Sequence, residues 1–195
     1  MAKRDGQGIK REKSEAMKQT EEWNTAKSRI ENQIKELRHR LHTCPEISGQ
    51  ERKTKAALKQ FLEESTNLEL HDCGGGFYAV YRSSTADSAK KGVAFRADYD
   101  ALALPEGGAA HLCGHDGHAS ALCGAALLLE QQVKEGRDPG RNVYFLFQPA
   151  EETGAGAAPC CELFDKEEIE EIYGAHNLPG FAFGELYTKE GTFAC

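Results

Sequence analysis

Apolar residues recur at helical spacing at Ile30, Ile34, Leu37 and Leu41, which predicts an amphipathic helix that stops before Pro45. Residues 1–20 are polar and mostly charged and read as a frayed extension of that helix. A second helix is predicted over about 51–64, with Ala57, Leu58, Phe61 and Leu62 turned inward. After a glycine turn at 73–76, the aromatic and β-branched run 77–82 predicts a strand. A polar loop at 83–91 and a strand at 93–97 follow. The loop 102–116 then leads to a helix over 118–134, closed by the glycines at 136 and 140. The short apolar run 142–147 has the pattern of a strand buried on both faces. A Gly/Ala-rich stretch is predicted to become a helix through Leu163, with strands at 169–175 and, starting near Leu186, at 186–193. Strands alternating with helices predict an α/β fold, a three-layer sandwich around a largely parallel central sheet.

That architecture directs attention to the carboxyl ends of the strands, where such sheets gather functional groups. Three polar clusters fall there: 96–100 after one strand, 148–152 after the next and 174–177 after the third.

Composition narrows the classes. The chain has 195 residues, 39% hydrophobic and 28% charged, as expected of a globular protein with a real core. The most apolar stretch, 119–129, is interrupted by Ser120 and Gly124 and is too short to cross a bilayer, so no membrane role is expected. The N-terminus has basic residues but no apolar core after them, unlike a secretory signal. The net charge is −7, and residues 71–195 carry all of the acidic excess, which argues against a nucleic-acid partner. Seven cysteines, an odd number without framework spacing, fit a reducing cytoplasmic setting.

The densest chemistry is the segment 111–118, HLCGHDGH, with three imidazoles, a thiol and a carboxylate. In an extended segment Cys113 and His115 project to the same side, so one divalent cation can take both. The alternative is a polar loop whose histidines cap the next helix. Glu151 and Glu152 directly follow the buried run FLFQP. Adjacent side chains point to opposite sides, so one carboxylate can hold a metal while the other acts as general base. His176, at the end of a third strand, offers another imidazole, and Asp98 or Asp116 can orient ligand histidines. Arg96 can offset the acidic cluster. No GxSxG, phosphate loop, HExxH or paired CxxC is present.

The series RADYDAL, HLCGHDGHASALCGAALLL, FLFQPAEETGAGA and GAHNLP, in this order, closely resembles the aminoacylase-like metallopeptidases: N-acyl-amino-acid amidohydrolases, hippurate hydrolase and indoleacetyl-amino-acid hydrolases. LRHRLHTCPEISGQERKT resembles that family's first helix and its Pro-Glu turn. The resemblance implies a dimetal exopeptidase-like hydrolase that cleaves the amide bond of small N-acyl amino acids with a metal-activated water. It implies Cys113, His115, Glu152 and His176 as metal ligands, Glu151 as the catalytic base, and Asp98 and Asp116 as carboxylates backing the ligands. Two divalent ions are implied, zinc or manganese, with cobalt or nickel as alternatives.

The sequence departs from the family pattern in two places. The loop between DAL and the HLCGHD motif is short, from 103 to 110, so a different pocket rim is expected. The family's lid domain and the returning C-terminal part have no counterpart before Cys195. The expected division is a polar helical extension at 1–29 and the N-terminal part of an incomplete catalytic domain at 30–195, without the lid-mediated dimerisation of the family. Poor hydrolysis by residues 1–195 alone is expected. A truncated, catalytically impaired metal-binding remnant, or an interaction domain without metal, are the competing readings.

Overall fold

The computed structural model describes residues 6–87, 90–178, 180, 182 and 184–188, with no account of the side chains at 6–17 and 19. Helix α1 runs Gly6–His42 and α2 runs Arg52–Ser65. Strands β1, Glu69–Cys73, and β2, Gly76–Tyr81, form a hairpin, and β3 spans Gly92–Asp98. The short loop that follows folds into a two-stranded ribbon, β4 (Leu102–Ala103) against β5 (Ala109–Ala110). Helix α3, His115–Lys134, leads to β6, Val143–Gln148. Two short helices, α4 (Ala157–Cys160) and α5 (Glu162–Lys166), precede β7, Ile169–Gly174.

The main sheet has the order β1-β2-β6-β3-β7. Strand β6 is parallel to β3 and β3 to β7, whereas β2 is antiparallel to both β6 and β1. Four of the five strands therefore point the same way, and the predicted α/β sandwich is mostly parallel.

Alternation along the strands builds two cores. Phe77 and Ala79 of β2 and Val143, Phe145 and Phe147 of β6 face α1, α2 and α3, where Leu37, Leu58, Leu62 and Leu122 cover them. Register places Phe77 opposite Phe147, and their rings stack with centroids 4.6 Å apart. Tyr78, Val80, Tyr144 and Leu146 face the other way, onto Cys160 and Leu163. On that side Glu167 is paired with Arg82 and accepts from Tyr144 and Tyr78, and these donors hold its carboxyl down to about 2.

Several elements differ from the sequence-based expectation. Strand β1 has no counterpart in the sequence-based expectation, because its Glu-Leu-His-Asp run is largely exposed at a sheet edge and only Cys73 is buried. The helix expected from 118 begins at His115, after Gly114 turns the chain at φ +92°. The Gly/Ala-rich stretch makes two short helices rather than one. Residues 186–188 form no strand, and the rest of that expected strand, 189–193, lies outside the described residues. No helix among the described residues is long and apolar enough to cross a membrane.

Candidate metal centre

Three strand ends and one helix start meet at one place. Strand β3 delivers Asp98 and, two residues on, Asp100; β6 delivers Glu151 and Glu152; β7 delivers His176; and α3 opens on His115. Cys113 joins them through the left-handed turn at Gly114, not through an extended segment as the spacing suggested. A Cβ at Gly114 would stand 2.7 Å from the Asn177 side chain, so position 114 needs glycine both for its φ and for this close approach.

His115 is the centre of the arrangement and is fully buried. Its Nδ1 lies 2.8 Å from Asp100 Oδ1. The carboxylate accepts there, so Nδ1 carries a proton and Nε2 is the atom left to face a metal. Nε2 has no hydrogen-bond partner, yet it faces Glu152 Oε1 at 3.6 Å, Glu151 Oε2 at 3.8 Å and Asp98 Oδ1 at 3.8 Å. Glu152 Oε1 is also buried without a hydrogen-bond partner. Burial alone would strip the charge from His115, but Asp100, Asp98 and Glu152 outweigh it and hold its pKa above the ordinary value.

His176 is prepared in the same way. Its Nδ1 lies 2.7 Å from the Asn177 carbonyl, which must accept, leaving Nε2 to face Cys113 Sγ at 3.3 Å. Three groups able to hold a metal result among the described residues: Cys113, His115 and His176; His115, Glu151 and Glu152; and Asp98, His115 and His118. All of them share His115. One Nε2 lone pair serves one ion, so the groups amount to one well-furnished position and part of a second.

The supporting contacts are long-range. Asp100 Oδ2 accepts from the Glu152 backbone N–H at 3.0 Å and from the Ser48 hydroxyl at 2.6 Å, so one carboxylate steadies both His115 and Glu152. Asp98 accepts from His118 Nδ1 at 2.7 Å and pairs with Arg96 at 2.8 Å. Burial works against its charge, but these partners keep its pKa below the usual carboxylate range. His118 Nε2 meets Asn177, whose backbone N–H donates to it at 3.2 Å. Nothing in the local sequence pattern singles out His118, Asp100 or Ser48 for these roles, save that His118 sits three residues after His115 and hence on the same helix face.

Asp116 is placed differently from the sequence-based expectation. Consecutive helix residues diverge, so Asp116 turns from the centre toward α1, where it meets His42 Nδ1 at 2.7 Å and Arg38 Nε at 3.0 Å. The residue that holds His115 is Asp100. His111 also leaves the cluster: its ring stacks on His42, with centroids 6.2 Å apart, and burial lowers its pKa.

The donor set fits a divalent cation. Two buried ligand atoms face each other without hydrogen bonds, two imidazoles present Nε2 with Nδ1 already engaged, and of the four carboxylates gathered there Asp98 is the one paired with Arg96. Burial, and after it Glu152, push the Cys113 thiol up to about 11. The thiol is therefore protonated near neutral pH, and a metal that takes the thiolate must displace that proton. Metal affinity should rise at least about tenfold per pH unit between pH 6 and 8, with one or more protons released per ion bound, because His115 must also give up any proton on Nε2. Calorimetric titration of zinc in buffers of different ionisation enthalpy counts these protons, and a heat independent of buffer would exclude Cys113 as a thiolate ligand.

Known proteins share this arrangement of chain. Residues 94–190 match the profile described as Peptidase family M20/M25/M40. The chain is 36% identical over 175 residues to the N-acetyl-L-cysteine deacetylase of Bacillus subtilis (strain 168), covering 84% of this chain and 41% of that protein. It is 34% identical over 165 residues to the N-acetylcysteine deacetylase of the same strain, covering 80% and 42%. A Bacillus subtilis crystal structure described as a dinuclear metal-binding peptidase of the M20 family superposes with a TM-score of 0.71 at 34% identity, covering 86% of this chain and 48% of that one. The chain thus spans about two fifths of the length of these curated relatives.

Proposed function

Because the chain belongs, over residues 94–190, to peptidase family M20/M25/M40, we propose that it carries the metal-holding part of a hydrolase for the amide bond of N-acyl amino acids. The observation that carries this reading is the pair of buried, unpartnered atoms His115 Nε2 and Glu152 Oε1, with Cys113 and His176 alongside. Two relatives named as deacetylases of N-acetylcysteine support an N-acyl amino acid as substrate class.

In this reading Cys113, His115, Glu152 and His176 hold the metal, zinc or manganese, and a second ion completes the site. Divalent ions there would polarise the amide carbonyl and make water acidic enough to attack near neutral pH. Glu151 takes the proton: its side chain is 39% exposed, against 18% for Glu152, so it opens toward solvent while its Oε2 stays 3.8 Å from His115 Nε2. The same carboxyl then returns the proton to the departing amine, as microscopic reversibility suits a single acid–base group. Asp100 keeps His115 and Glu152 in register, and Asp98 with Arg96 fixes His118 at the rim. The products are a carboxylate and a free amino acid.

The test is metal content together with turnover. After zinc or manganese loading and gel filtration, the protein should retain about one or more ions per chain, and a chain of the relatives' length should release acetate from N-acetyl-L-cysteine in a chelator-sensitive manner. Metal retention without any hydrolysis would favour the impaired remnant, and failure to retain either metal would overturn the proposal.

A further inference from the structure

We infer that Glu51 is a positioning residue that aims Glu151 and Glu152 at the metal centre; the inference rests on the function proposed above. Glu51 sits at the start of α2 and is 6% exposed. Its Oε1 accepts two backbone N–H groups, from Gly49 at 2.8 Å and, across 99 positions, from Ala150 at 2.8 Å. Ala150 is the one non-glycine residue with positive φ among the described residues, at +48°. That conformation is disfavoured by Cβ sterics and persists only where the surroundings impose it.

Both sides of Ala150 are held. Glu51 takes its N–H, and its carbonyl accepts from Ala155 and Gly156 N–H, each at 3.1 Å. The tight closure needs Gly156, where a Cβ would stand 1.6 Å from the Pro149 carbonyl oxygen. The next two residues are Glu151 and Glu152 themselves. Any relaxation of φ at Ala150 pivots both carboxylates away from His115. Strand β6, by contrast, is secured by its ladders to β2 and β3 and does not depend on Glu51.

Three variants separate aiming from general support: Glu51→Leu, Glu51→Gln, and Glu51→Leu combined with Ala150→Gly. Glutamine keeps an acceptor oxygen, and glycine adopts positive φ without help. In the metal-free protein, amide exchange over 149–156 should be about tenfold or more faster in Glu51→Leu, with 143–147 unchanged. Zinc affinity should fall about 10–100-fold, the usual effect of losing a residue that supports ligands. Glu51→Gln should stay close to wild type, and Ala150→Gly should recover most of the affinity lost in Glu51→Leu. Unchanged exchange over 149–156, acceleration spreading through 143–147, or no recovery from Ala150→Gly would each overturn the inference. If the wild-type chain bound no zinc, the metal-centre reading would fall, while the exchange comparison would still decide what Glu51 does.

Discussion

Replacing His115 by alanine is expected to abolish metal retention. His115 belongs to all three groups able to hold an ion among the described residues, so none of these sets survives its loss. The effect should exceed the roughly 10–100-fold that follows removal of a supporting residue. The substitution also leaves Asp100 Oδ1 buried without its partner, which costs about 1–3 kcal/mol of stability. A second variant, His115→Gln, keeps a polar group near Asp100 and should fold with a smaller loss. Equilibrium dialysis with zinc, beside circular dichroism of the metal-free chains, separates the two effects. Stoichiometric zinc in a folded His115→Ala protein would remove His115 from the centre.

Glu151→Gln should do the opposite: keep the metal and lose turnover. Glutamine is nearly isosteric but cannot accept a proton from the attacking water, and a general base contributes about 10²–10⁴-fold. Glu152 cannot take over, because its Oε1 is buried and it faces His115 and Cys113. The comparison is of kcat on N-acetyl amino acids in a chain of the relatives' length, with metal content measured on the same samples. A Glu151→Gln enzyme within a few-fold of wild type would exclude Glu151 as the base.

Much of the scaffold is legible in the sequence because it is written in local periodicity. Strand β6 is buried throughout, and the apolar run at 142–147 announces this. Strand β1 escaped because an edge strand exposes both faces and loses its alternation. The members of the centre were visible as residue types: a thiol and imidazoles packed into 111–118, and carboxylates after an apolar strand. Their supports were not. Asp100 reaches Ser48 across 52 positions, and Glu51 reaches Ala150 across 99, and no local pattern encodes such pairings. Of Asp98 and Asp116, the two carboxylates the sequence offers as supports, Asp116 is lost to His115 because of where α3 begins. A helix opening at His115 points the next side chain toward α1, whereas an extended segment would have kept it near the strands.

The five-stranded sheet also sets how firmly each ligand is held. His115 starts a helix packed on the larger core, but His176 follows β7, whose residues are mostly exposed and which pairs with β3 alone among the described residues. The two imidazoles that share an ion would thus belong to regions with very different opening free energies. Binding would act as a clasp: part of its free energy goes to quieting the β7 end, and the intrinsic affinity appears reduced by the fraction of time that end is away. At a free metal concentration 100-fold above Kd, the ion would return about 2.7 kcal/mol of protection. That protection should fall first on the amides of 174–177, making metal the element that converts a loosely attached strand end into part of the rigid body.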